Sequence, residues 1–147
     1  MFETIVVGTD GSETAGKAVA RAPELATSLT ARLLIVSAFA PVSEARLRDD
    51  ATKVPADLQW MVNPRTDVDA TLEAAAESAL VQGVTAEVFA RQGDPADAIL
   101  DVAEEQDADL IVVGNKGMTG AKRFLLGSVP NKVSHHAPCS VLIVRTI

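Results

Sequence analysis

The chain has 147 residues, about the length of one domain, which argues against a two-lobed enzyme with a cleft between its lobes. Its composition, 48% hydrophobic and 22% charged, excludes a disordered chain, and its net charge of −7 argues against a surface that binds nucleic acid or anionic membranes. The single cysteine, Cys139, excludes an intramolecular disulfide, and without an export signal or a long apolar run we expect a cytoplasmic protein.

Short β-branched runs alternate with Ala-rich amphipathic stretches along the chain. The runs predict five strands, at residues 4–8, 33–37, 86–90, 110–114 and 140–144. All but the third are nearly continuous apolar runs, which is typical of strands buried on both faces of a parallel sheet.

Helices are predicted between these strands. They are expected to begin at Ala15, Thr66, Asp94 and Ser128. Thr66 and Asp94 are favourable N-caps, and Gly83 is a favourable C-terminal stop for the second helix. Pro23 lies inside the first helix and predicts a kink there.

This alternation predicts one α/β domain over residues 1–147, with a doubly wound five-stranded parallel sheet and helices on both faces. The irregular part is the connection at about 40–65, which contains three prolines and exceeds ordinary connection lengths. We expect that connection to be mobile, partly helical or a lid over the site.

Small polar residues follow the first and fourth strands, where open parallel sheets bind their ligands. The sequence is GTDGS at 8–12, GNKG at 114–117, and GS at 127–128, where the last helix begins. Glycines allow close approach of a ligand, and a helix N-terminus favours an anion. Residues 110–147 carry a charge of +5 with no carboxylate, whereas residues 1–109 carry −12. These observations predict a phosphate site in the last quarter of the chain.

The motif G-x2-G-x9-G-S at 114–128 resembles the nucleotide-binding signature of the universal stress protein family. The segments at 8–12 and 138–144 resemble that family's other two signatures, in the same order over the full chain. The resemblance implies an adenine-nucleotide alpha-hydrolase-like fold with strand order 3-2-1-4-5. It also implies a stress-response regulator or nucleotide buffer that binds ATP, AMP or cyclic AMP, and a homodimer paired through Ser140–Val144.

The resemblance also implies which residues contact the nucleotide. They are Thr9, Asp10, Ala38, Val113, Gly114, Lys116, Gly117, Gly127, Ser128 and Val129. Asp10 would lie near the ribose, or near a Mg²⁺ or Mn²⁺ that bridges the phosphates, and it also has the spacing of a helix cap. Ala38 would read the adenine edge through its backbone. Pro130 stands where family members often carry another donor, so AMP and cyclic AMP stay open beside ATP.

Two other functions stay open from the residues alone. An adenylyl-transferring or slow ATP-hydrolysing enzyme on the same fold is the first, although the sequence offers no placed base and no acid pair, and we predict no catalytic residue. A phospho-receiver domain is the second. It would need an acceptor Asp directly after the third strand, where the sequence has RQGD at 91–94.

Overall fold

The structure is a computed structural model that describes residues 2–10, 13–39, 65–115 and 127–145. Within these residues, strands and helices alternate. The strands are β1 Thr4–Gly8, β2 Arg32–Phe39, β3 Glu87–Gln92, β4 Leu110–Gly114 and β5 Ser140–Val144. The helices are α1 Glu13–Leu29, α2 Arg65–Val81, α3 Pro95–Glu105 and α4 Ser128–His136. Except for its last residue, the predicted irregular connection at 40–65 lies outside the described residues.

The five strands form one parallel sheet in the order β3-β2-β1-β4-β5, which confirms the predicted fold. The chain moves outward from β1 through β2 to β3, then crosses to β4 and β5 on the other side of β1. Because the order reverses between β1 and β4, a crevice forms where the loops after these two strands part.

Helices cover both faces of the sheet, as predicted. Alternate residues of the central strands point to opposite faces, so each face has its own apolar core. On one face α1 and α2 bury a core that includes Ile5, Val7, Ile35, Val68 and Leu72. On the other face α3 and α4 bury a core that includes Val6, Leu34, Ile99, Ile111 and Val133.

The structure differs from the sequence predictions in local detail. Helix α1 continues through Pro23, which is itself buried, because burial of the apolar face of the helix outweighs one missing hydrogen bond. Helix α2 begins at Arg65, so the prediction of Thr66 as its N-cap is wrong. Gly83 is confirmed as the stop, since it has φ of +83° and donates to the Leu80 carbonyl. Strand β5 is only partly buried because it forms an edge of the sheet.

Candidate functional site

The crevice begins where β1 ends. After Gly8 the chain leaves the sheet through Thr9, whose N–H donates to the Val36 carbonyl of β2 over 3.0 Å. Thr9 is buried and Asp10 is partly exposed. The first predicted contact segment therefore starts at the carboxyl end of β1, with Asp10 as its accessible carboxylate.

Strand β2 extends past the end of β1 and exposes a backbone edge to the crevice. The last paired residues of the two strands are Gly8 and Val36, while β2 continues to Phe39. The Phe39 carbonyl accepts the N–H of Gly93 on the β3 side over 2.9 Å. Because successive peptide groups of a strand point to opposite edges, those of Ala38 point toward the β1 side, beyond the end of β1. This is the orientation that readout of a base edge by the Ala38 backbone requires.

Strand β4 leads into the other wall of the crevice. Val113 is buried and Gly114 is the last residue of the strand. The next residue, Asn115, donates its N–H to the Val144 carbonyl of β5 over 3.1 Å, which keeps the chain in the plane of the sheet. The predicted contact residues Lys116 and Gly117 lie outside the described residues.

The N-terminus of α4 presents few donors. Gly127 precedes the helix with φ −63° and ψ 167°, and no side chain caps the first turn. Ser128 and Val129 are the first two helical residues, and their N–H groups have no acceptor within the helix. The third is Pro130, which has no N–H. Two of the first three helical positions therefore offer an anion a main-chain donor, and the exposed Ser128 hydroxyl adds a side-chain donor.

Helices α3 and α4 are joined by an ion cluster formed by Asp94, Asp97 and Lys132. The Lys132 Nζ lies 2.9 Å from Asp97 Oδ1 and 3.4 Å from Asp94 Oδ2. The hydrogen bond to Asp97 raises the pKa of Lys132. Sequence reasoning missed this cluster and assigned Lys132 to an acid-free segment, because the acids lie more than 30 residues away in the sequence and no local pattern signals the pairing.

The other described cation of the 110–147 segment lies on the opposite face. Arg145 lines a groove of about 460 Å³ between α1 and β5, together with Arg21, Glu24 and Leu142. The remaining cations, Lys116, Lys122 and Arg123, lie outside the described residues. Neither cation that the structure describes therefore supplies an unneutralised charge to the N-terminus of α4.

Histidine and cysteine side chains of the last quarter do not form a reactive centre. His135 and His136 are exposed in the last turn of α4. Partial burial raises the pKa of the Cys139 thiol, which disfavours the reactive thiolate. In the described part of the chain, no three His, Cys, Asp or Glu side chains are arranged to hold a metal ion. No helix among these residues is long and apolar enough to cross a membrane.

Residues 1–145 match the family model described as the "Universal stress protein family". The chain belongs to the universal stress protein family. It is 40% identical to Universal stress protein Rv1636 of Mycobacterium tuberculosis over 99% of this chain and 97% of that protein. It is also 38% identical to Universal stress protein YxiE of Bacillus subtilis, over 99% of this chain and 100% of that protein.

Solved structures of universal stress proteins share the fold. One, a universal stress protein in complex with cAMP, superposes with a TM-score of 0.76 at 37% sequence identity and covers 99% of both chains. A second, the Archaeoglobus fulgidus protein in complex with dAMP, has a TM-score of 0.70 at 23% identity, over 97% of both chains. The similarity to the second protein is one of fold.

The predicted contact residues that the structure describes carry few groups suited to acid–base chemistry. Of the predicted contact residues that the structure describes, Asp10 alone has a titratable side chain. The others contribute main-chain groups, small side chains or hydroxyls. Backbone donors and a helix N-terminus bind a phosphate without transferring its protons.

Proposed function

We propose that this universal stress protein binds an adenine nucleotide in the crevice between β1 and β4, and that it prefers ligands with one phosphate, such as AMP and cyclic AMP. The observation that carries this proposal is Pro130 at the third position of α4. A proline there removes one of the main-chain donors with which a helix N-terminus surrounds phosphate oxygens. The relative that holds cAMP supports it, since that protein is 37% identical to this chain and its ligand carries a single phosphate.

Each wall of the crevice would hold one part of the nucleotide. The Ala38 backbone would read the adenine edge, while Thr9 and Asp10 would contact the ribose. Val113, Gly114 and Gly127 would lie against the ribose and phosphate, and the N–H groups of Ser128 and Val129 would donate to it. Lys116 and Gly117 would complete the phosphate side.

The protein would act as a regulator or nucleotide buffer in a stress response, not as an enzyme. With Asp10 as the single titratable side chain among the described contact residues, no base is placed to activate water. A Mg²⁺ or Mn²⁺ would have one protein carboxylate to bind, so it would enter with the phosphates of ATP and add little to a one-phosphate ligand.

Isothermal titration calorimetry with AMP, cyclic AMP and ATP, with and without EDTA, tests this proposal. We expect the two one-phosphate ligands to bind more tightly than ATP. A Gly114→Val variant should lose binding, because its side chain would enter the space of the ligand. Gly16→Val is the matched control, since Gly16 is an exposed residue of α1 and a Cβ there would meet open space. No binding by the wild type at millimolar ligand would overturn the proposal.

We further propose that the protein is a homodimer paired through β5, Ser140–Val144. Within the described residues β5 pairs with β4 alone, and Leu142 is 38% exposed. The bond from Asn115 to Val144 shows which edge faces β4, so the peptide groups of Val141 and Ile143 point outward. An apolar edge of this kind is an aggregation hazard unless a second strand covers it.

The oligomeric state measured by sedimentation tests this pairing. Ile143→Pro removes an outward N–H and should yield monomers, whereas Ile143→Ala keeps that N–H and should stay dimeric. A monomeric wild type at micromolar concentration would overturn the proposed dimer.

A further inference from the structure

The ion cluster of Asp94, Asp97 and Lys132 lies close to the N-terminus of α4. Lys132 follows Ser128 by four residues, about 6 Å along the helix axis. Asp94 caps α3, and Asp97 lies in its first turn. Lys132 therefore lies within one Debye length, about 8–10 Å at ordinary ionic strength, of the first turn of α4, and both carboxylates lie within ion-pair distance of its ammonium group.

The cluster carries a net charge of −1, because it has two carboxylates and one ammonium group. That ammonium group belongs to Lys132, which is the one Lys or Arg of helix α4. Both carboxylates are within ion-pair distance of the Lys132 ammonium, at 2.9 and 3.4 Å. The three side chains are 36–56% exposed, so they act on a nearby ligand through screened, long-range electrostatics. A cation that would by itself attract phosphates is thus outweighed by two acids.

We propose that Asp94 and Asp97 are specificity-determining residues, which cancel the charge of Lys132 and disfavour a ligand in proportion to the negative charge of its phosphates. This inference rests on the proposed nucleotide site and gives a second reason for its preference for one phosphate. Pro130 limits the number of donors, whereas the ion cluster sets the charge that the ligand meets. The two effects can be separated, because the effect of the ion cluster is reduced by salt whereas the loss of a donor at Pro130 is not.

The expected effect grows with ligand charge. A unit charge about 10 Å away in water changes affinity by about twofold for each unit of ligand charge at low salt. Cyclic AMP, AMP and ATP carry about one, two and four negative charges near neutral pH. Removing one acid should therefore improve cyclic AMP binding by about twofold and ATP binding by up to about sixteenfold.

Calorimetric titration of the full chain with these three nucleotides in EDTA, at low and at high salt, tests the inference. Asp97→Asn should strengthen ATP binding most and cyclic AMP binding least. Lys132→Met should have the opposite sign, again largest for ATP. Glu104→Gln is the matched control: it removes the same charge from the same face of α3, seven residues, or about 10 Å, farther from the cluster.

The pattern of signs decides the outcome. Opposite changes in Asp97→Asn and Lys132→Met, graded by ligand charge and reduced by salt, would support the inference. Equal losses for all three nucleotides, or the same response in Glu104→Gln, would overturn it while leaving the proposed site intact. Absence of wild-type binding would instead overturn the proposed function itself.

Discussion

Helices α3 and α4 begin on the same face and at the same edge of the sheet, yet their N-termini differ. At α3 the Asp94 carboxylate accepts the N–H of Asp97 over 3.0 Å, and Pro95 occupies the first helical position. At α4 the corresponding residue is Gly127, and no side chain caps the helix. One helix end is closed by its own carboxylate, whereas the other is left open to a ligand.

The difference lies in the side chain and not in the backbone. Asp94 has φ −66° and ψ 132°, and Gly127 has φ −63° and ψ 167°, so both residues are extended. Any L-residue adopts that conformation. Gly127 is therefore not required for a left-handed turn. In the proposed site its contribution would be the absence of an acceptor that competes with a phosphate for the first-turn N–H groups.

The largest expected effect comes from giving α4 the cap that α3 has. Gly127→Asp should weaken AMP and cyclic AMP binding by about a hundredfold or more, because the carboxylate takes the donors and repels the phosphate. The free energy of unfolding should change by only a few tenths of a kcal/mol, since Asp and Gly are both accepted at an N-cap. Calorimetric titration and urea unfolding measure the two quantities.

The companion variant is Gly127→Ala. Like aspartate, alanine adds a Cβ at this position, but it adds no hydrogen-bond acceptor and no charge. Its loss of affinity should be much smaller than that of Gly127→Asp. Equal losses in the two variants would show that bulk, and not capping, explains the glycine. Unchanged binding in Gly127→Asp would show that the phosphate does not lie at α4.

Several strand bounds and the start of α3 were predictable from local sequence. The bounds of β1, β4 and β5 agree with the apolar runs. For β1 and β4 the reason is burial on both faces of a parallel sheet, which requires an apolar residue at nearly every position. Asp94 followed by Pro95 predicted the start of α3 because both residues act within a single turn. The strand order, which the family resemblance implied, is also confirmed.

What sequence reasoning missed depends on contacts between distant residues. The charge of 110–147 suggested an unopposed positive segment, yet Lys132 pairs with two acids of α3. Gly8 was predicted as the last residue of β1 and the first of the polar segment 8–12, but the sequence did not indicate its close approach to Ile99. Neither partner is local, so no periodicity or turn pattern reveals it. Both contacts depend on the placement of α3, which only the tertiary structure fixes.

Gly8 lets α3 pack close to the end of β1, because it has no side chain to meet Ile99 of α3. A Cβ on Gly8 would lie 2.9 Å from Ile99 Cγ1 and closer still to Cδ1. Gly8→Ala should therefore lower the free energy of unfolding by about 2 kcal/mol, as overpacking of a core does. Ile99→Val removes the nearest methyl group, so the double variant should be less destabilised than the sum of the singles in urea unfolding.

Gly16→Ala is the control for that cycle, because a Cβ there meets open space and alanine favours a helix. It should stabilise the protein slightly. Additive effects of Gly8→Ala and Ile99→Val would contradict direct packing between these two residues.

At the amino end of the strands, the Asp109 carboxylate accepts hydrogen bonds from main-chain N–H groups at the start of β1. It accepts the N–H of Glu3 at 2.8 Å and that of Thr4 at 3.0 Å. Partial burial raises the pKa of Asp109, but these hydrogen bonds outweigh burial and hold the pKa below its usual value. Because the folded state favours the ionised form, its stabilisation is present above about pH 4, the unfolded pKa, and is lost as the pH falls further.

Asp109→Ala should reduce the free energy of unfolding by about 1–2 kcal/mol at pH 7, since it leaves main-chain donors without their acceptor. The difference from wild type should shrink below about pH 4 in urea unfolding, where the wild-type carboxyl becomes protonated. A difference that stays constant down to pH 2 would contradict a role for the ionised carboxylate.

The smallest effect concerns the closed helix end itself. Asp94→Ala should cost about 1 kcal/mol of stability, because it removes the acceptor for the Asp97 N–H. Asp94→Asn keeps an acceptor and should be nearly neutral in urea unfolding. If alanine and asparagine were equally tolerated, the carboxylate would not be what closes α3. The contrast with Gly127 would then rest on α4 alone, where no side chain caps the first turn and Pro130 removes one main-chain donor.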